Sequence, residues 1–409
     1  MKITEILAQK INKKRQEISD FFKENFAKYP AVFYNSVDLR HSDFKIAPVD
    51  TNCFPAGFNN LSNNSKIVAQ KAANEFLEKN FPEAKKLILI PENHTRNLRY
   101  FENIKNLEEI LSDKREVKIV TLNPEIKEIT NFDLESGRQI TLFPLQENNK
   151  FLTTIDGFKA DLAILNNDLT DGIPEILKNS KTPINPSVNL GWHARKKSTH
   201  FDIYNKVAAQ IAKILEIDPW LISSMHNFCE GVDFKAQKGL DCLAKAVDEL
   251  IVNLQKKYQE YGINETPYCY IKADSGTYGM AVWSVFSGSE VLTINKKERN
   301  KMSMLKGSIA NNKVMIQEGI LTSDKIKEKV AEPLIYLINA KVVGNLFRVN
   351  ESRDEKTSLN AAGASFFDLI NLEDKDISIG LTKNQIDIIY CLISKMAALS
   401  AAIENKDAN

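Results

Sequence analysis

A chain of 409 residues, 43% apolar and 26% charged, has the length of two or three domains and the composition of a globular protein rather than a disordered one. Its 54 basic and 53 acidic side chains leave a formal net charge of +1, which excludes a general attraction to nucleic acid or to a membrane surface. The five cysteines are scattered without a CxxC pair, which argues against a zinc site or a disulfide framework and fits reduced thiols in the cytoplasm.

Residues 1–30 read as one or two amphipathic helices. Ile3, Ile6, Leu7 and Ile11 share a face that Ile18, Phe21 and Phe22 continue. The charged start is a helical pattern rather than a signal peptide, and no apolar run reads as long enough to span a bilayer. A short strand at 31–34 comes next. Residues 36–62 are rich in Asn, Pro and Gly and carry Asp38, Arg40, Asp50, Asn52, Asn59 and Asn60. They read as a long ordered loop that supplies hydrogen-bonding side chains.

A regular alternation then begins. Helices are expected at 64–80, 98–111 and 172–178, and strands at 85–90 (KKLILI), 116–122 (EVKIVTL), 139–143, 161–165 (DLAIL) and near 183. Strands alternating with helices imply a parallel α/β sheet, whose ligands gather beyond the carboxyl ends of the strands. Two polar loops fall there, 91–97 (PENHTRN) and 185–201 (NPSVNLGWHARKKSTHF). They hold Glu92, His94, Arg96, Asn189, Trp192, His193, Arg195 and His200. No HxH or HxxxH spacing supports a metal. Arginine and lysine beside asparagine suit recognition of a carboxylate.

Helices at 201–215 and 233–261 lead into residues 268–286, YCYIKADSGTYGMAVWSVF. Two β-rich runs flank a short glycine-containing connection, the pattern of a hairpin. Lys272 ends the first run. Asp274, Ser275, Gly276, Thr277, Tyr278 and Gly279 follow. A lysine before a loop of small residues can hold phosphates, because glycine lets backbone N–H groups approach and the ammonium neutralises charge. A basic helix at 296–307 and a strand at 313–320 come next, the strand ending in Gln317, Glu318, Gly319 and Ile320. A second hairpin, 332–339 with 342–349, carries Glu332 and Arg348. Asn360 lies in the LNAAGAS run, and a helix at 383–403 closes the chain.

This order, a parallel α/β domain and then an antiparallel lid, resembles an ATP-grasp carboxylate–amine ligase. The strings VDLR, APVDTNCFPAGFNNL, PENHTRN, NPSVNLGWHARKKSTHF, KADSGTYGM, KKERNKMS, QEGI, AEPLIYLI and LNAAG resemble the proteobacterial glutamate–cysteine ligase family, in order from about residue 36 to residue 365. The resemblance implies an N-terminal Rossmann-like, pre-ATP-grasp domain (1–200), a helical connection (201–262), a lid subdomain (263–321) and a C-terminal ATP-grasp subdomain (322–409). It implies the first step of glutathione synthesis from ATP, glutamate and cysteine, with Mg2+. Lys272 and residues 274–279 would then bind phosphates, and Gln317–Glu318–Gly319–Ile320 would contact adenine. Arg348 and Arg195 would be catalytic. Arg40, Asp50, Asn52, Asn59, Asn60, Glu92, His94, Arg96, Asn189, Trp192, His193 and Arg195 would bind substrate, and Asn360 with Glu332 would hold metal. One departure stands out: the superfamily's Glu-x-Asn has Ser358 two residues before Asn360, so Glu351, Asp354 and Glu355 join Glu332 as acidic candidates. The competing readings are a ligase for another amino-acid pair, a non-catalytic two-lobed binding protein and an inactive relative. The sequence is compatible with a homo-oligomer without specifying one.

Overall fold

The computed structural model of the chain describes residues 3–93, 97–276, 282–303, 313–377 and 381–407. Short β-branched runs between helices build the first of three sheets. It has seven strands, in the order Thr130–Asp133, Gln139–Asn148, Glu116–Thr121, Lys86–Pro91, Leu162–Asn166 and Ile184–Asn185, with Phe151–Thr154 paired to Gln139–Asn148. The pairings from Gln139–Asn148 through to Ile184–Asn185 are parallel, as the alternation predicts. The two antiparallel additions, Thr130–Asp133 and Phe151–Thr154, carry no separate strand signal. Successive side chains of Lys86–Pro91 serve opposite faces. Leu87 and Leu89 pack with helices Asn63–Asn80 and Leu98–Leu111, and Ile88 and Ile90 pack with Phe54 and Phe158. Side-chain caps start both helices: Ser62 Oγ accepts from Ser65 N at 3.2 Å and Asn97 from Tyr100 N at 3.1 Å.

Residues 36–62 are not a long loop. Tyr34–Ser42 and Lys45–Asn52 form an antiparallel hairpin, and only the remainder, around the single turn Phe58–Asn60, is irregular. Val37 and Leu39 enter one core cluster, while Asp38 and Arg40 fall on the opposite face. The polar residues that suggest a loop are one face of a buried strand. The hairpin joins Lys329–Ile338, Lys341–Val349, Ser365–Asp368 and Lys325–Ile326 in a six-stranded sheet. The sheet therefore draws on residues near both ends of the chain.

The third sheet is antiparallel, in the order His226–Glu230, Lys313–Glu318, Cys269–Ala273 and Val282–Val285. The expected hairpin is present, with Ile271 opposite Trp283 and Lys272 opposite Val282. Leu243, Val247, Leu250 and Leu254 of helix Leu240–Glu260 cover it. This helix starts at residue 240 rather than 233 because Asp233 and Lys238 close a turn on each other, at 3.0 and 2.9 Å. Gly239 then has φ +72°, and a Cβ there would lie 2.7 Å from Gly231 O.

The closing helix, Lys383–Asp407, corrects one expectation. By length and composition alone it is apolar enough to cross a membrane. In the fold its Ile386, Ile389, Tyr390, Ile393 and Met396 are buried in the cluster shared with helices Ile3–Lys13 and Lys197–Leu215 and the six-stranded sheet. Its apolar surface is consumed by the protein's own core.

Candidate active site

The end of strand Cys269–Ala273 meets strand Lys45–Asn52 and the start of helix Lys197–Leu215. Lys272, next to last on its strand, is buried and donates to Val49 O at 2.9 Å and Gln317 Oε1 at 2.6 Å. Both partners are neutral, and no described residue makes an ion pair with it within 4 Å. Burial pushes the ammonium down to about 8, against the pull of Asp50 and with the help of the Lys197 and Arg40 charges. Nearby Gln317 Nε2 is buried without a hydrogen-bond partner among the described residues.

Asp50 accepts from Lys197 Nζ at 2.7 Å. Burial would raise its carboxyl, but Lys197, Lys272 and Arg195 overcome that and hold it down to about 2. It is therefore an anion at neutral pH. The Lys197 ammonium also lies 4.3 Å from the Trp192 ring centroid, and the Arg195 guanidinium 5.0 Å from the same ring. Arg195 itself is buried against the closing helix. It donates to Glu404 Oε2 at 2.8 Å, to Glu404 Oε1 at 3.3 Å and to Thr51 O at 2.5 Å. His200 Nδ1 bonds the same carboxylate. Burial opposes the Glu404 charge, yet Arg195 and His200 hold its carboxyl down to about 2.

The polar face of the six-stranded sheet adds a second charged group. Glu332 stands opposite Arg348 in register. Arg348 Nη1 lies 2.6 Å from Asp38 Oδ1 and 3.5 Å from Glu332 Oε2, and its buried Nε has no hydrogen-bond partner among the described residues. Burial pushes the Asp38 carboxyl up against the Arg348 attraction, and Asp50 and Glu332 add to the push. Arg40 Nε donates to Glu332 Oε1 at 2.9 Å, and Nη1 to Tyr270 Oη at 2.5 Å, Ile320 O at 3.0 Å and Glu355 O at 3.1 Å. Its Nη2 bonds Glu332 and Thr357 O.

The strand end 317–320 is equally engaged. Glu318 is fully buried in an ion pair with Lys45 at 2.8 Å and accepts from Trp220 Nε1 at 3.0 Å. A Cβ on Gly319 would meet Tyr268 Cε2 at 2.4 Å, and Ile320 O accepts from Tyr268 Oη at 3.0 Å.

The sequence model of the family GshA: Glutamate-cysteine ligase matches residues 8–405. The chain belongs to the glutamate–cysteine ligase family. It is similar to a solved protein from Methylobacillus flagellatus KT, described there as a candidate gamma-glutamylcysteine synthetase, at 37% identity and TM-score 0.90 over 98% of this chain and 96% of that one. D-alanyl-alanine synthetase A from Vibrio cholerae O1 (10% identity, 76% of this chain and 80% of that one, TM-score 0.36) and the VanG D-Ala:D-Ser ligase from Enterococcus faecalis (10%, 77% and 83%, TM-score 0.39) are too distant in shape to carry an argument. No curated protein matches the chain. As a glutamate–cysteine ligase the chain is an ATP-using enzyme of glutathione biosynthesis, with small-molecule substrates such as glutamate and cysteine.

Within this ligase the residues singled out in the sequence fall into separate groups. Lys272, Asp274, Ser275, Asp50, Trp192, Arg195 and Gln317 surround one strand end, and Arg40, Glu332 and Arg348 form the neighbouring charged group. Asn52 Oδ1 accepts from Phe54 N at 2.9 Å, a local turn. Asn59 and Asn60 lie on the turn Phe58–Asn60. Glu92 N donates to Tyr100 Oη at 2.9 Å, beyond strand Lys86–Pro91. Asn189 N donates to Ser187 Oγ at 3.3 Å. His193 is half-buried, and burial pushes its imidazole down against a backbone hydrogen bond at Leu169. Asn360 is exposed, with its N–H on Ser358 Oγ at 3.4 Å. His94, Arg96, Thr277, Tyr278 and Gly279 lie outside the described residues, and Gly276 has φ +102° at the start of that gap. Lys45 and Glu404, whose carboxylate and ammonium contacts brace the site, carry no signal in the sequence. Their partners are 273 and 209 residues away.

Proposed function

We propose that the chain joins the γ-carboxylate of L-glutamate to the amine of L-cysteine, giving γ-glutamylcysteine, ADP and phosphate through an acyl phosphate. The observation that carries this reading is Lys272. A buried ammonium whose two partners are neutral is undercompensated, and a polyanion beside it would restore its charge. Gln317 Nε2 offers a further buried donor at the same place. We read the four-stranded and six-stranded antiparallel sheets as the two halves of an ATP-grasp unit, with the triphosphate between Lys272 and Arg348. A carboxylate carbon is a poor electrophile. Phosphorylation makes it reactive, and the amine then displaces phosphate through a tetrahedral intermediate. Phosphoryl transfer needs positioning and charge neutralisation, which Lys272 and the unpaired Nε of Arg348 supply. The loop from Asp274 to Gly279 would exclude water from the acyl phosphate.

Asp50, ionised and partly exposed, is the proposed partner of the glutamate α-ammonium. Arg40 and Arg195 have their donors taken by internal acceptors, so they position rather than bind. Arg96 is the proposed partner of the α-carboxylate. The expected metal pair does not fit a cation as it stands. Glu332 faces two guanidinium groups, Asn360 lies at the surface, and no cluster of three or more metal-binding side chains occurs among the described residues. All five cysteines are free thiols, which suits the proposed cytoplasmic site of action. Glutamate labelled with 18O in the γ-carboxylate tests the route. One labelled oxygen in the released phosphate is expected, and unlabelled phosphate with full product formation would contradict the acyl phosphate.

A further inference from the structure

The amine of an amino acid is mostly an ammonium at neutral pH and must lose a proton before it can attack a carbonyl. Asp50, bonded to Lys197 at 2.7 Å and held down to about 2, is too weak a base to take that proton. Its neighbour across the hairpin is different. Asp38 and Asp50 stand directly opposite each other on strands Tyr34–Ser42 and Lys45–Asn52, so their side chains share one face. The register then shifts: Leu39 opposes Pro48, and Val49 is the extra residue of a bulge. Val49 O accepts from Lys272 Nζ at 2.9 Å, and both carboxylates act on that ammonium, holding its proton against burial. Arg348 Nη1 lies 2.6 Å from Asp38 Oδ1.

We infer that Asp38 is the general base that takes the proton from the attacking amine of cysteine. The inference rests on the reading above, in which the acyl phosphate forms between Lys272 and Arg348 and the glutamate ammonium meets Asp50. Asp38 has both of those cations and Asp50 for neighbours, which places it beside the carbon under attack. Its side chain is 18% exposed, and among the described residues Arg348 is its one ionic or hydrogen-bonding partner, so an oxygen remains to accept from an ammonium. The charged and titratable groups that face it are Asp50 on the partner strand, Arg348, Glu332 and Tyr336 on the six-stranded sheet, and Lys272 on the four-stranded sheet. Burial pushes the Asp38 carboxyl up against Arg348, while Lys197, Lys272 and Arg195 hold Asp50 down against burial. Neighbouring carboxyls driven in opposite directions separate a proton acceptor from a fixed anion. The step balances. Asp38 takes one ammonium proton, and the freed lone pair forms the C–N bond at the γ-carbon. The C–O bond to phosphate then breaks, and the second nitrogen proton leaves with the phosphate. Asp38 returns its own proton to solvent.

Two acceptors that differ in their need for a base test this. Hydroxylamine is largely unprotonated at neutral pH and, with ATP and glutamate, would give γ-glutamyl hydroxamate from the same acyl phosphate. The wild type is expected to use both acceptors. Asp38→Asn, which keeps the size and an oxygen for Arg348, is expected to slow cysteine ligation by about 10²–10⁴-fold and hydroxamate formation by less than about tenfold. Cysteine ligation by the variant should recover as the pH rises and the amine loses its proton unaided. Asp38→Ala, which must show the same split between acceptors, decides the matter if Asp38→Asn does not fold. An equal loss with both acceptors overturns the inference, since Asp38 would then act before the amine attacks. Wild-type cysteine ligation in the variant, or a loss that does not vary with pH, also overturns it. A wild type that makes neither product refutes the underlying reading rather than the base.

Discussion

Removing Glu404 exposes how strongly the closing helix braces the site. The carboxylate takes two hydrogen bonds from Arg195 and one from His200, all three side chains being buried. A carboxyl held at about 2 instead of its ordinary 4.5 contributes about 3 kcal/mol to folding at neutral pH, at about 1.4 kcal/mol per tenfold change in acidity. Breaking a buried ion pair by deleting one partner costs about 3–5 kcal/mol, so the two routes agree. With an unfolding entropy of about 2 cal/mol/K per residue over 409 residues, Glu404→Ala should lower Tm by about 4 °C at pH 7. The sign of the pH dependence follows from the lowered value. The folded-state carboxyl is more acidic than the unfolded one, so the stabilisation is complete above about 4.5 and is lost as the pH falls towards 2. Scanning calorimetry of both proteins between pH 7 and pH 3 should show their Tm gap closing below about 4.5. Glu404→Gln, which keeps the shape, should show a smaller gap. Because Arg195 also donates to Thr51 O beside Asp50, the KM for glutamate should rise more than the KM for ATP. A Tm gap that is absent, or that stays constant with pH, would refute the reasoning.

Three further outcomes follow from the same site. Lys272→Ala should abolish turnover with Tm unchanged or raised, because the folded-state value of about 8 lies below the ordinary 10.5 and the fold carries that cost at all pH below 8. A loss of Tm as large as that of Glu404→Ala would contradict it. ATP binding near pH 8 should take up protons as the triphosphate restores the Lys272 charge, so its heat should vary with the ionisation enthalpy of the buffer. Identical heats in phosphate and Tris would place the triphosphate elsewhere. Gly319→Ala should raise the KM for ATP and cost about 1–3 kcal/mol, since its Cβ would lie 2.4 Å from the Tyr268 ring. Wild-type KM and Tm in that variant would remove Gly319 from the nucleotide side of the site.

The parallel sheet and the Lys272 hairpin are legible in the sequence because both obey local rules: short apolar runs, helical spacing and glycine at the connection. The hairpin Tyr34–Asn52 is not, because its polar residues face the interior of a charged cluster rather than water. Asp38 and Arg40 look like loop residues until Arg348 and Glu332, about 300 residues on, supply their partners. Arg40 and Arg195 have the chemistry to bind a carboxylate, and each does, but the carboxylates are Glu332 and Glu404 of the same chain. Residue type indicates what a side chain can bind. Only the fold shows whether that capacity is already used.

The most direct test of the account is phosphate release by the purified protein with ATP and magnesium, given glutamate alone, cysteine alone or both, followed by mass analysis of the product. The account predicts sustained release only with both amino acids, and γ-glutamylcysteine in equal amount. Release with glutamate and a different amine, or none with both from folded protein that binds ATP, would contradict it.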